Sequence, residues 1–496
     1  MPLDEPSNED ARAERSLDPA DWEEFRRLGH RAVDDLVDYL RDVADRPVWQ
    51  PLPADARRLF SLPLPRSGMP LAEVYDDIHK HILPYPTNNI HPRFWSWVGG
   101  TGTASQLIAD MAISAMNSAS LGFDEVASSY VELQLLGWLK SMLGYPDDAS
   151  GLLVSGGSMA NLVGLAVART ASAAYDLRER GVDLRDSPRL VFYASQETHS
   201  SVRKAIELLG LGSRSLRLVP VLDDFTIDVD ALLQSIADDR RGGHRPACIV
   251  ANAGTVNTGA LDPIDRLADV AAAENLWLHV DGAFGAFARL SPESAHLVAG
   301  MERADSLAFD LHKWLYVQYD CGCTLIRPGA PHRETFSVTP SYLSSLDRGL
   351  PSGPLNFSEY GVQLSRSFKA LRAWVALRNE GVDRYGRQIE QNIRQARYLS
   401  GRIEKSDRLE LLAPTSLNIV NFRYVDPALD AATLDDLNAE ILMRLHERGI
   451  AAPSATLIRG RFSLRVAICN HRSTRQDFDA LVDGAVAIGE ELQRGS

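Results

Sequence analysis

The chain predicts an α/β protein: a mostly parallel seven-stranded sheet with helices on both faces, a helical N-terminal segment and a small α+β C-terminal domain. Three observations carry this. Short, nearly continuous apolar runs alternate with longer amphipathic stretches from about residue 87 to 381, the pattern of strands buried on both faces of a parallel sheet. Polar residues with chemical potential recur directly after those apolar runs, where ligands sit in such sheets. Beyond two long helical stretches, the remainder of the chain alternates strand, helix, strand, helix.

Taken in order, Asp18-Pro19-Ala20-Asp21 supplies helix-start chemistry. Phe25, Leu28, Val33, Leu36, Val37 and Leu40 then recur at helical spacing to about Val43. Prolines between 47 and 70 break the chain before a second short helix at about 71–82. Residues 1–85 thus form helices without a core of their own and must pack on something, such as a second subunit. Strands are predicted at 151–154, 190–193, 216–219, 248–251, 277–280, 306–309 and 322–326, with helices at 158–169, 200–209, 229–239 and 264–274 between them. Long helices are predicted at 357–378 and 383–404, then a strand at 418–423, a helix at 433–447, a strand at 461–467 and a helix at 474–492. The resulting divisions are 1–85, 86–381 and 382–496.

Composition narrows the function. Hydrophobic residues make up 45% and charged residues 24% of 496, enough for a large core. A net charge of −14 argues against nucleic acid and anionic membrane surfaces as partners. The N-terminus is acidic and polar, unlike a secretory signal, and no apolar run approaches the ~20 residues that span a bilayer. Four cysteines are too few for a disulfide framework, so a cytoplasmic location is expected. Cys321 and Cys323 lack CxxC spacing and read as small apolar side chains, and no metal site is expected.

Two groups name a chemistry. Asp310-Leu311-His312-Lys313-Trp314 follows one apolar run, and Trp277-Leu278-His279-Val280 leads straight into Asp281. A lysine amine can hold pyridoxal phosphate (PLP) as a Schiff base. A carboxylate at a buried strand end can keep the coenzyme's pyridine nitrogen protonated, so that the ring accepts an electron pair. His312 and Trp314 would give Lys313 the neighbouring cation and the desolvation that keep an amine reactive. A structural salt bridge or helix cap is the plain alternative for Asp281. Ser155-Gly156-Gly157-Ser158 joins a predicted strand to a helix start, where backbone N–H groups favour a phosphate. It is neither GxGxxG nor a Walker A sequence, which removes support from a nicotinamide-dependent oxidoreductase. His199, which can stack on a ring, and Thr255, which can bond a ring substituent, fall at two further strand ends.

Together these residues resemble the group II PLP-dependent decarboxylases, the family of aromatic-L-amino-acid decarboxylase. The matching pieces include His91-Pro92-Arg93-Phe94, Ser155-Gly156-Gly157-Ser158, Thr198-His199-Ser200-Ser201 and Trp277-Leu278-His279-Val280-Asp281-Gly282-Ala283. They continue with Asp310-Leu311-His312-Lys313-Trp314, Ser341-Tyr342-Leu343 and Arg366-Ser367-Phe368-Lys369, so the resemblance spans about residues 20 to 490. It implies PLP fold type I and a homodimer with active sites at the subunit interface. It makes Lys313 the Schiff-base lysine, Asp281 the pyridine partner, and His199 and Ala283 the groups on the two ring faces. Gly157 and Ser158 would hold the phosphate, with Thr255, Asp310 and His312 lining the site, and Leu121, Phe123 and Trp95 walling the substrate pocket. Tyr342 would assist protonation of the carbon left when CO2 departs, in the neighbouring subunit.

The implied reaction is decarboxylation of an L-amino acid to the amine and CO2, with an aromatic substrate favoured. A non-aromatic substrate, or an aldehyde synthase that also deaminates oxidatively, are the alternatives. The retained Tyr342 and His199 favour simple decarboxylation over the second. The glycine-rich 98–103 segment and the charges of Asp124 and Glu125 depart from the aromatic members' pattern.

Overall fold

A computed structural model describes residues 16–123, 126–182, 187–338, 347–350, 352–353 and 356–494. Its strands are β1 Phe94–Trp95, β2 Ser150–Val154, β3 Leu190–Ser195, β4 Leu216–Val219, β5 Arg245–Asn252, β6 Trp277–Asp281, β7 Ser306–Asp310, β8 Gly322–Ile326, β9 Leu409–Leu411, β10 Ile419–Tyr424, β11 Ala452–Ile458 and β12 Arg461–Ala467. Seven of them form a sheet in the order β2-β8-β7-β6-β5-β3-β4. The run from β4 to β7 is parallel, and β8 lies antiparallel to both β7 and β2.

Both faces of this sheet are covered, which explains why its strands read as unbroken apolar runs. Along β3, Val191 and Tyr193 enter one core with helices Val229–Arg241 and Ile264–Glu274. Leu190, Phe192 and Ala194 enter another with helices Gly157–Ser172 and Ser200–Leu208. Side chains alternating at a period of two thus find apolar partners on either side.

A second sheet, ordered β1-β11-β12-β10-β9, joins distant parts of the chain. Its β1 is parallel to β11, with Phe94 opposite Ala452 and Trp95 opposite Pro453. The sheet packs with helices Val382–Ile403, Ala431–Glu447 and Arg475–Arg494 around Trp95, Phe422, Tyr424 and Phe478.

Some elements depart from expectation. The predicted helix at 357–378 is a short 3-10 turn, Phe357–Tyr360, then irregular chain, then helix Ala370–Glu380. Arg366 is the reason. It is 5% exposed and reaches Glu132 at 2.7 Å and the Leu153 carbonyl at 3.0 Å, a buried pair that holds the chain away from helical geometry. Helices Ser105–Met116 and Ala127–Leu143 and strands β1, β9 and β11 were not expected. Two residues of β1 and three of β9 are too short to show a period, and Pro453 argues against a strand where β11 lies.

The chain divides into two compact units. One comprises the described residues up to Arg46 with Pro51–Pro86, the other Pro47–Gln50 with everything described from Thr87 onward. In the first, helix Trp22–Arg41 begins where Asp21 accepts from the Glu23 and Glu24 amides. It meets helix Leu71–His81 through Arg31–Asp76 at 2.5 Å and Tyr75–Asp35 at 3.0 Å. No residue of either helix is buried, and Trp22, Phe25, Val37, Leu71 and Ile78 stay exposed. No helix among the described residues is long and apolar enough to cross a membrane.

Candidate active site

The carboxyl ends of β3, β5, β6 and β7 converge on a cavity of about 350 Å3. Lys313 enters it from the turn after β7, with Nζ 3.1 Å from Asp310 Oδ2. Asp281, the last residue of β6, faces the same cavity at 5% exposure. Its Oδ2 accepts from Asn161 Nδ2 at 2.8 Å and its Oδ1 from the Ala283 amide at 3.1 Å.

The environment of Lys313 differs from expectation. Burial pulls the ammonium's pKa down, but the carboxylates of Asp310 and then Asp281 outweigh it, and the net shift is upward. His312, the expected cation, is pushed down by its own burial. Anions therefore hold the lysine protonated. A charged lysine beside buried carboxylates is the partner that such groups require.

Glycine lets the loop between β2 and helix Gly157–Ser172 approach the β7 turn. A Cβ on Gly157 would stand 2.8 Å from Asp310 Oδ2, and one on Gly156 would stand 3.1 Å from His312 Cε1. Gly157 and Ser158 open this helix, so their amides lack intrahelical carbonyls and favour an anion. Gly100 is equally constrained, since its Cβ would fall 1.8 Å from the His312 carbonyl oxygen. The glycine-rich 98–103 segment thus packs on the lysine turn.

Other predicted residues divide. His199 caps helix Ser200–Leu208, its Nδ1 taking the Ser201 amide at 3.2 Å, with its ring open to the cavity. Desolvation by its walls pushes the imidazole down. Ala283 lines the cavity. His312 is buried, its Nδ1 against the backbone of Cys321 and its ring 4.4 Å from that of Tyr319.

Thr255 does not face the cavity. Its hydroxyl meets Thr258 Oγ1 at 2.9 Å and accepts from the Ala260 amide, so the loop's own polar groups consume it. Trp95 is no pocket wall either. At 1% exposure it stacks on Phe478 and donates to Ser473 in the core of the small sheet, because β1 directs it there. Leu121 and Phe123 do not line the cavity within one chain, and the Leu121 carbonyl pairs with the Phe357 amide. Tyr342, Asp124 and Glu125 lie outside the described residues.

The sequence reading missed Trp97, Phe284 and Arg465, which line the cavity. Arg465 is 4% exposed and donates to the Trp97 and Val256 carbonyls and to Ser454 Oγ, with no carboxylate partner among the described residues. Burial pushes its guanidinium down to about 10. An arginine inside an apolar strand was a legible signal.

A doubly wound sheet with a lysine and an aspartate at adjacent strand ends, beside a glycine-lined helix start, defines a PLP enzyme. The residues fit the coenzyme: an amine, an opposing carboxylate, an anion-favouring helix start and a cavity with flat apolar walls. The model for the pyridoxal-dependent decarboxylase conserved domain matches residues 53–425, and the chain belongs to that family. It is 34% identical to an aromatic-L-amino-acid decarboxylase of Bacillus atrophaeus, covering 95% of this chain and 96% of that protein. It is 27% identical to a phenylacetaldehyde synthase of a Rosa hybrid cultivar, over 92% of this chain and 91% of that protein. The crystal structure of Oryza sativa TDC with PLP and tryptamine superposes with a TM-score of 0.87 at 28% identity, covering 96% of this chain and all of that one. The fold is the type I fold expected, and the protein is a PLP-dependent amino-acid decarboxylase.

Proposed function

We propose that this enzyme removes the α-carboxylate of an aromatic L-amino acid, releasing the amine and CO2. The observation that carries the proposal is the meeting of Lys313 and Asp281 in one cavity walled by Trp97, Val98, Val256 and Phe284. Flat apolar walls favour an aromatic side chain over a charged or short one. When bound, PLP supplies an electron sink for the pair left behind as CO2 departs. Lys313 is the amine that would anchor it, and Asp281 would meet its ring nitrogen as a preorganised negative group. His199 and Ala283 would bracket the ring, and Gly157 and Ser158 would give amides to the phosphate. Asp310 and His312 hold the lysine turn beneath. Arg465 offers the substrate's carboxylate a charge that pairs with no carboxylate among the described residues. Tyr342 is the proton donor to the α-carbon.

We further propose a cytoplasmic homodimer, with residues 1–85 clasping the partner, 86–381 binding the coenzyme and 382–496 closing the site. The exposed Trp22, Phe25 and Ile78 support the dimer. In it, Leu121 and Phe123 would wall the substrate pocket of the neighbouring subunit. The likeness to a phenylacetaldehyde synthase favours one second reading, in which the product is the aldehyde.

A screen of the common L-amino acids with PLP supplied, scoring CO2, amine, aldehyde and hydrogen peroxide, tests both. Amine with stoichiometric CO2 from an aromatic substrate is expected. Aldehyde with peroxide would replace the first reading by the second, and CO2 from aliphatic or diamino acids alone would remove the aromatic assignment. In Tyr342→Phe, amine formation should fall by about 100-fold or more while coenzyme binding persists.

A further inference from the structure

Behind Asp281, away from the cavity, side chains that are buried from Ser306 inward form an unbroken chain of hydrogen bonds starting at the half-buried Trp277. Trp277 Nε1 donates to Ser306 Oγ at 2.7 Å, and Ser306 Oγ meets His279 Nδ1 at 2.7 Å. His279 Nε2 meets Asn161 Oδ1 at 2.9 Å. Asn161 Nδ2 then donates to Asp281 Oδ2 at 2.8 Å and to Ser201 Oγ at 3.0 Å. His279 is 0% exposed, Ser306 0% and Asn161 1%.

The direction of every bond follows from the charged end. A carboxylate only accepts, so the Asn161 NH2 faces Asp281 and the amide oxygen faces His279. That oxygen needs a donor, so His279 carries its proton on Nε2. Its Nδ1 is then an acceptor, the Ser306 hydroxyl must donate to it, and the hydroxyl's lone pair takes the Trp277 N–H. Reversing any one member leaves two acceptors or two donors facing each other. A Cβ on Gly164 would lie 2.7 Å from His279 Cε1, so the helix carrying Asn161 presses directly on the imidazole. Burial holds that imidazole neutral, its pKa lowered to about 4.

We infer that Asn161 is a positioning residue for Asp281 and that His279, held by Ser306, keeps the Asn161 amide in the one orientation that does this. The inference rests on Asp281 facing the coenzyme's ring nitrogen. The relay keeps the carboxylate aimed at that nitrogen when Lys313, a source of countercharge within the site, gives up its ammonium proton.

The test compares the affinity of apoenzyme for PLP with that for the analogue in which a CH group replaces the ring nitrogen. Only the first can engage Asp281 at that atom. Wild type should prefer PLP by at least about tenfold, the scale of a hydrogen bond to a charged group. Asp281→Asn should lose the preference, and unchanged preference there would overturn the Asp281 reading itself. With that control satisfied, Asn161→Leu and His279→Leu should lower the preference by about fivefold or more. His279→Gln, whose amide keeps an N–H where Nε2 stood, should stay within about twofold of wild type. Leucine variants that keep the full preference, or that weaken both ligands equally, would reduce the relay to packing and overturn the inference. Should those variants not fold, Ser306→Ala removes one hydroxyl, and a preserved preference in it counts equally against the relay.

Discussion

At the scale of single residues, the anionic surroundings of Lys313 matter most. Its amine must lose a proton before it can attack an aldehyde, yet Asp310 stands 3.1 Å away and raises its pKa. Replacing Asp310 by Asn removes the larger of the two opposing carboxylate effects. The rate of coenzyme capture as a function of pH should therefore shift to lower pH, a result that stopped-flow absorbance would read. Lys313→Ala should abolish borohydride trapping at this position, as peptide mass mapping would show. Asp281→Asn should cut turnover by about 100-fold or more, the cost of losing a preorganised charge in a site sheltered from water. Lys313 and Asp281 were legible in the sequence because each follows an apolar run. Thr255 misled, because a strand-end position does not say whether a side chain turns toward the cavity or is consumed locally, and Trp95, named through the family resemblance, is taken up by the core of the small sheet.

At the scale of elements, the glycines at crossing points decide how close the site's parts come. The segment bearing Gly100 lies against the turn that carries Lys313, and a Cβ there would sit 1.8 Å from the His312 carbonyl oxygen, far inside van der Waals contact. Gly100→Ala should therefore cost about 1–3 kcal/mol or more through overpacking. It should also weaken coenzyme binding, because the displaced turn carries the anchoring lysine. Thermal unfolding of the apo form separates the two effects. Gly137, where a Cβ meets nothing within 4 Å, provides the matched control. Its replacement by Ala in the middle of helix Ala127–Leu143 should stabilise slightly. The spacing of the glycine-rich segment was visible in the sequence. What it packs against was not, since more than two hundred positions separate Gly100 from Lys313.

At the scale of the whole molecule, buried neutral histidines set the acid limit. Besides His279, His332 is 2% exposed, accepts from Ser150 Oγ at Nδ1 and donates from Nε2 to the Tyr360 carbonyl. Burial lowers both imidazoles from 6.5 to about 4. Between those values the unfolded chain binds protons that the folded one refuses, so stability falls as pH drops from 6.5 toward 4. Each residue contributes up to about 3 kcal/mol over that window. Thermal midpoints of the apoenzyme should decline across it, and His332→Gln should flatten the decline by roughly the share of one histidine. An unchanged slope in that variant would exclude His332 as a source.

The sequence by itself determined the doubly wound sheet, the placement of its seven strands and the pair that defines the chemistry. Those are local signals: strands buried on both faces must be apolar throughout, and a charge directly after such a run stands at the carboxyl end of a strand. Only the tertiary structure decided that Trp97 and Arg465 wall the cavity, that carboxylates rather than a cation surround Lys313, and that β1 completes the small sheet. Each of these depends on contacts between residues far apart in the chain, and no periodicity within a segment records which distant segment will cover it.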